Sequence, residues 1–255
     1  MKTNLRIHLL EIKYEFLKAI RMPAYALPTI CFPLLFYVFF GLVFGRQQAG
    51  GVQMASYLIA TYGCFGVIGA SLFGFGVTVA IERGQGWMEL KRTTPMPVSA
   101  YFIAKLALAM IFSSFIVIGL FALGLTFGHV QMTLGTGATL FAVLVLGSVT
   151  FSALGLAIGY VAGPNSAAPI VNLIYLPMAF LSGLWVPIWI LPRALQRFAF
   201  ILPPFHYSQI ALQIIGAGRF GIPLYAHVIA MFIATALFLT IAYFAWRRDE
   251  GKMYG

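Results

Sequence analysis

One stretch between two long apolar runs gathers charge around a Trp: Glu82-Arg83-Gly-Gln-Gly86-Trp87-Met88-Glu89-Leu-Lys91-Arg92-Thr-Thr-Pro95. These 14 residues hold two acids, three bases and a Trp, in a chain that is 9% charged overall. Such a set is suited to binding. A short helix over 84–92 would put Trp87, Leu90 and Met88 on one side, and Gln85, Glu89 and Arg92 on another. Pro95 would end it, because the residue before a proline avoids the α region. An aromatic anchor amid mixed charge makes a docking surface for another protein. On these residues alone, an ordinary solvated loop is an equal alternative.

Other chemistry is scarce. There is no HExxH, no His and Glu paired on one face and no nucleophile–base pair at readable spacing. No metal site is expected. His8, His129, His206 and His227 are scattered and read as interface residues, with His227 reaching the outer surface. Cys31 and Cys64 both lie in apolar segments and read as small hydrophobes rather than a disulfide framework. No GxxxxGK[ST] loop occurs: Gly251-Lys252 is followed by Met253. The chain is therefore expected to bind no nucleotide or other cofactor by itself.

The elements that would carry the charged stretch are membrane helices. The 255 residues are 61% hydrophobic with mean hydropathy +0.94, and only 9% are charged, against roughly 25% in soluble domains. This predicts an all-α polytopic membrane protein, with 1–255 as a single transmembrane domain. A span takes about 20 apolar residues. Six candidates follow: 22–45, kinked by Pro23, Pro28 and Pro33; 54–81; 101–127; 137–161; 167–184; and 223–246. Residues 1–21 lack a signal peptide's apolar core. Their Leu5, Leu9, Ile12, Phe16 and Ile20 recur at steps of three or four, the pattern of a helix lying in the membrane interface.

The net charge of +10 would raise nucleic-acid binding in a soluble protein. Here the bases flank apolar runs, where they meet anionic lipid head groups, and no nucleic-acid partner is expected. With six spans, one side receives twelve of the 16 bases, and the other receives Arg46, Arg193, Arg197 and Arg219. Both termini are thus expected in the cytoplasm. All six acids fall on that side too. Lys105, near the start of the third span, is expected to snorkel outward.

Residues 185–222 are too long for a turn and too broken for a span. Pro192 can open a short helix, the Pro203-Pro204 pair would stop it, and 205–215 reads as a second helix. The segment is expected to form a re-entrant hairpin on the outer face, with protein covering its irregular backbone. Gly66, Ala70 and Gly74 on the second span, and Gly155, Gly159 and Gly163 on the fourth, form rows that let helices approach closely. Bundle packing is the favoured reading of these rows, and self-association the alternative.

Several of these features in order resemble the permease subunit of type-2 ABC exporters. They are the amphipathic N-terminal helix, six spans, Glu82-Arg83-x-x-Gly86-x-x-Glu89-Leu90 with Thr94-Pro95, and Leu181-Ser-Gly-Leu-Trp-Val-Pro187 … Leu191-Pro192 … Leu202-Pro203. The likeness covers nearly the whole chain. It extends in part to the G-type half-transporters, though no nucleotide-binding domain is fused here. The resemblance implies a bacterial-type inner membrane permease that exports an amphipathic, drug-like or lipid-linked substrate. It implies a separate ABC ATPase subunit holding ATP and Mg, and a second permease copy or paralogue. Residues 82–95 would be the coupling helix, with Glu82, Arg83, Gly86, Trp87, Met88, Glu89, Lys91 and Arg92 meeting the ATPase. Glu82 would tie that helix to the N-terminal one. Phe65, Phe73, Asn172, Leu176 and Phe180 would line the substrate path. Pro187, Pro192, Pro203 and Pro204 would belong to an outer gate. A non-transporting membrane scaffold or assembly factor, and a lipid-modifying membrane enzyme, are the rival readings.

Overall fold

The computed structural model describes residues 2–94, 96–218 and 220–253. Pro95 and Arg219, both used in the expectations above, lie outside them, as do the side chains of Lys2, Arg92 and Lys252. The described chain is helical apart from loops and one small hairpin. Helix α1 is Lys2–Ile20, α2 Pro23–Leu42, α3 Met54–Gly84, α4 Trp87–Arg92, α5 Val98–Thr126 and α6 Leu134–Val161. After them come α7 Ala167–Leu181, α8 Arg193–Ala199, α9 Pro203–Ile214 and α10 Leu224–Met253.

Among the described residues, five helices are long and apolar enough to cross a membrane: α2, α3, α5, α6 and, over Leu224–Asp249, α10. Helix α7 has 15 residues, about 22 Å of helix against a hydrocarbon core of about 30 Å. It is shorter than the expected 167–184 span because Gly183, at φ +77, turns the chain out of the helix.

Helix α3 is the centre of the bundle, with every residue from 57 to 72 buried. Its regular winding gives way to a π-helical stretch at Leu72–Val77, where the glycines of α3 and α6 meet. A Cβ built on Gly76 would lie 2.6 Å from the carbonyl oxygen of Gly155. The two backbones touch there, as small-residue rows permit in lipid. Gly66 likewise faces Ile116 and Pro33 of the same chain, whereas Gly163 meets only Ser166. Helix α2 carries Pro28 and Pro33 inside its first part and also ends in a π-helical stretch, Tyr37–Leu42.

Between α2 and α3, Gln48–Ala49 (β1) pairs antiparallel with Val52–Gln53 (β2). Gly50 and Gly51, at φ +63 and +87, make the two-residue turn that such a hairpin favours.

Helix α1 packs along α5. It places Glu15 and Ala19 inward, while Leu5 and Leu9 are 64% and 58% exposed. Acids thus face protein and leucines face outward, the reverse of a helix packed on a soluble domain.

Between α7 and α10, Pro187 precedes a short 3-10 turn (Ile188–Ile190) and Pro192 caps α8. The Pro203-Pro204 pair does not simply stop α8. It forms the first turn of α9, where missing N–H groups cost nothing.

Candidate functional site

The charged stretch folds at one end of the bundle. Gly84 ends α3, and Gly86, at φ +75, supplies the left-handed residue from which α4 starts. The helix is therefore shorter than 84–92. Thr93 and Thr94 bond back to the carbonyls of Leu90 and Lys91 at 2.8 and 2.7 Å, closing its end.

The two faces of α4 differ. Trp87 and Leu90 are 51% and 59% exposed; Glu89 is exposed with them. Met88 faces the other way, packed against the cluster of Phe75, Val79 and Tyr101, so it does not share the Trp87 face as the spacing predicts. Lys91, three residues on, also points inward. Its Nζ lies 2.5 Å from Glu11 Oε1, 3.9 Å from Glu15 Oε1 and 4.4 Å from the centre of the Tyr101 ring.

Behind α4 is a buried polar network that joins four helices. Glu82, 5% exposed, accepts from Tyr101 Oη at 2.7 Å, from Lys105 Nζ at 2.8 Å and from Lys18. Lys105 also donates to Glu15 Oε2 at 2.8 Å. Three lysines, Lys18, Lys91 and Lys105, thus meet three glutamates, Glu11, Glu15 and Glu82. Partial burial disfavours the charge on Lys18. The bond to Glu82 and the charges of Glu82, Glu15 and Glu11 outweigh it, and its ammonium titrates above the usual lysine range. Lys105 does not snorkel. It is fully buried, because two carboxylates reach it where it stands.

Arg83, the neighbour of Glu82, also turns inward. Its guanidinium donates to the carbonyl of Tyr160 and, at 2.9 Å, to that of Ala162, and it lies 3.5 Å from Asp249 Oδ1. It satisfies carbonyls that the C-terminal end of α6 leaves free. The end of α10 and the start of the chain therefore meet at the same end of the bundle.

The residues expected along a substrate path do not all converge. Phe65, Phe73, Asn172 and Leu176 line a cavity of about 300 Å³ between α2, α3 and α7. Tyr25, Thr29 and Tyr175 join them. Phe65 stacks on Tyr175 at 4.8 Å, and the Tyr175 hydroxyl donates to the Phe65 carbonyl at 2.7 Å. Phe180 is outside that lining; it lies edge-on to Trp185 at 6.4 Å, and Trp185 in turn packs on Phe65 at 5.5 Å. Pro187, Pro192, Pro203 and Pro204 lie in the segment between α7 and α10, at helix starts.

Sequence reasoning missed Lys105 and Tyr101 as members of the site. The available signal was Glu11 and Glu15, four apart on a helix expected to lie in the interface. Two stacked acids there need cationic partners.

Residues 9–216 match the family described as ABC-2 type transporter. A Bacillus subtilis (strain 168) protein, provisionally named transport permease YvfS, is 24% identical over 236 residues, covering 92% of this chain and 95% of that protein. The match covers the N-terminal helix from residue 9 on, the charged network, α4 and the cavity together, and this chain belongs to the ABC-2 type transporter family.

Proposed function

We propose that this chain is the membrane-spanning permease subunit of an ATP-driven exporter, moved by a separate ABC ATPase. One observation carries the reading: α4 is held from behind and open in front. Met88 and Lys91 fasten it to α1, α3 and α5, while Trp87, Glu89 and Leu90 are free for a partner. A force on the open face would pass through Lys91 to Glu11 and Glu15, and through Lys105 to Glu82 and the end of α3. Packed elements with charged links transmit displacement as rigid units. ATP and Mg would be bound by the partner subunit. Their work would enter as differential affinity for two permease conformations.

The same reading takes the chain across the bilayer six times. It enters α7 at the end where Arg83 holds Ala162, and α10 returns it to that end, where Asp249 meets Arg83. The segment between α7 and α10 then lies at the opposite, outer face as a re-entrant hairpin and gate. Both termini would be cytoplasmic in a bacterial inner membrane. Two permeases would pair so that the cavity bounded by Phe65, Phe73, Asn172 and Leu176 opens on a shared path. Its aromatic lining, with Asn172 and few other polar groups, suits an amphipathic, drug-like or lipid-linked substrate.

Affinity purification of the tagged chain in mild detergent tests the reading. An ABC ATPase should co-purify in equal number with the permease and be lost on Lys91→Glu. Full ATP-independent activity of the chain alone would overturn it.

A further inference from the structure

At the end of the bundle away from the charged network, two histidines meet. His206 of α9 and His227 of α10 approach with Nδ1 to Nδ1 at 2.9 Å. His206 Nε2 lies 2.9 Å from the carbonyl oxygen of Phe200. His227 is fully buried, and its Nε2 has no hydrogen-bond partner among the described residues. It does not reach the surface as a residue near a helix start would.

The carbonyl settles the tautomers. A carbonyl oxygen only accepts, so His206 Nε2 carries a hydrogen. In the neutral pair His206 Nδ1 then accepts, and His227 Nδ1 donates to it. That leaves His227 Nε2 with a buried lone pair and nothing to accept from. Three of the four ring nitrogens are committed, and the fourth is a vacant base.

Among the described residues the surroundings offer no counter-charge. Phe205 stands against both rings, at 5.4 Å from His206 and 6.0 Å from His227, and Phe200 and Phe220 pack on Phe205. Helix α9 adds Tyr207, whose hydroxyl is engaged by the Leu144 carbonyl. Helix α3, which packs on α9, brings Tyr57, Tyr62 and Cys64 at this end. Helix α6 has no titratable residue except Tyr160 at its far end, and α10 adds Tyr225. The charged side chains described between α7 and α10 are Arg193 and Arg197, both exposed. No acid occurs anywhere in 185–222.

We propose that His206 and His227 form a proton-binding site that latches the segment α8–α9 onto α10 and releases it on acidification. The first added proton goes to His227 Nε2, whichever ring then holds the hydrogen shared between the Nδ1 atoms. It converts a lone pair into an N–H with no acceptor and puts one positive charge among phenylalanines. A buried, unpaired charge is strongly disfavoured, so water must enter between α9 and α10. A second proton sets two N–H groups against each other at the Nδ1 contact, and the bond is lost. The site needs only the α9–α10 contact; its use as an outer gate rests on the exporter reading above.

Hydrogen exchange of the full chain in lipid nanodiscs tests it without any transport assay. After correction for the chemical pH dependence, amides of 205–214 should exchange at least about tenfold faster at about pH 5 than at about pH 7.5, with α3 unchanged. The double variant His206→Gln with His227→Gln keeps an amide pair that can hydrogen-bond but not titrate, and its exchange should be flat over the same range. Wild-type protection that does not change with pH overturns the proposal, whether or not the variant folds. So does a double variant with the wild-type pH response.

Discussion

Lys105 Nζ and Glu82 Oε1 are 2.8 Å apart, and neither side chain has more than 6% of its surface exposed. The pair joins the start of α5 to the end of α3, and the second bond of Lys105, to Glu15, brings in α1. Removing one member of a buried ion pair costs about 3–5 kcal/mol, because the other is left charged and unpaired. Lys105→Met should therefore lower the thermal midpoint of the detergent-solubilised chain by several degrees. Adding Glu15→Gln should restore part of the loss by removing one stranded charge, a non-additivity visible in a double-mutant cycle.

That lysine also marks where the sequence was legible and where it was not. The long helices follow from apolar runs of more than about 20 residues, and the helix opened by Pro192 follows from a ring that fixes φ. The snorkelling expected of Lys105 rests on depth alone, whereas its actual partners come from positions 90 and 23 residues away. The surface position expected of His227 fails for the same reason, since its partner lies 21 residues back on another helix. Met88 turned out to face inward because α4 is only six residues long. On so short a helix the cluster of Phe75 and Tyr101 decides which side is covered.

Arg83 clamps two carbonyls at the end of α6, and a lysine cannot reproduce that fork. Arg83→Lys should speed hydrogen exchange in residues 160–167 while leaving α4 protection close to wild type. Asp249→Asn should have the smaller effect, since its 3.5 Å contact is only an added support. Equal exchange in wild type and Arg83→Lys would remove the clamp as an explanation.

The contact of Gly76 with Gly155 leaves no room for a side chain. Gly76→Val would drive α3 and α6 apart, and overpacking of this kind costs about 1–3 kcal/mol. Gly135, where a Cβ would meet nothing within 4 Å, is the control. Thermal melting should separate Gly76→Val from Gly135→Ala clearly, with the second at the wild-type midpoint.

The open face of α4 gives the sharpest test of function, because Trp87 and Glu89 take no part in the buried network. Trp87→Ala combined with Glu89→Lys removes an aromatic anchor and reverses a charge without touching Met88, Lys91 or Glu82. Membrane insertion and melting should stay at wild-type values, since exposed substitutions usually change stability by less than about 0.5 kcal/mol. Coupling should not survive. Central aromatic anchors account for about 2 kcal/mol or more of a typical interface, a loss of more than tenfold in partner affinity. In vesicles holding the chain with the ABC ATPase that the proposed function assigns to it, ATP hydrolysis should continue while substrate movement falls by at least that factor. A variant that transports at the wild-type rate would show that the partner does not grip α4 by this face.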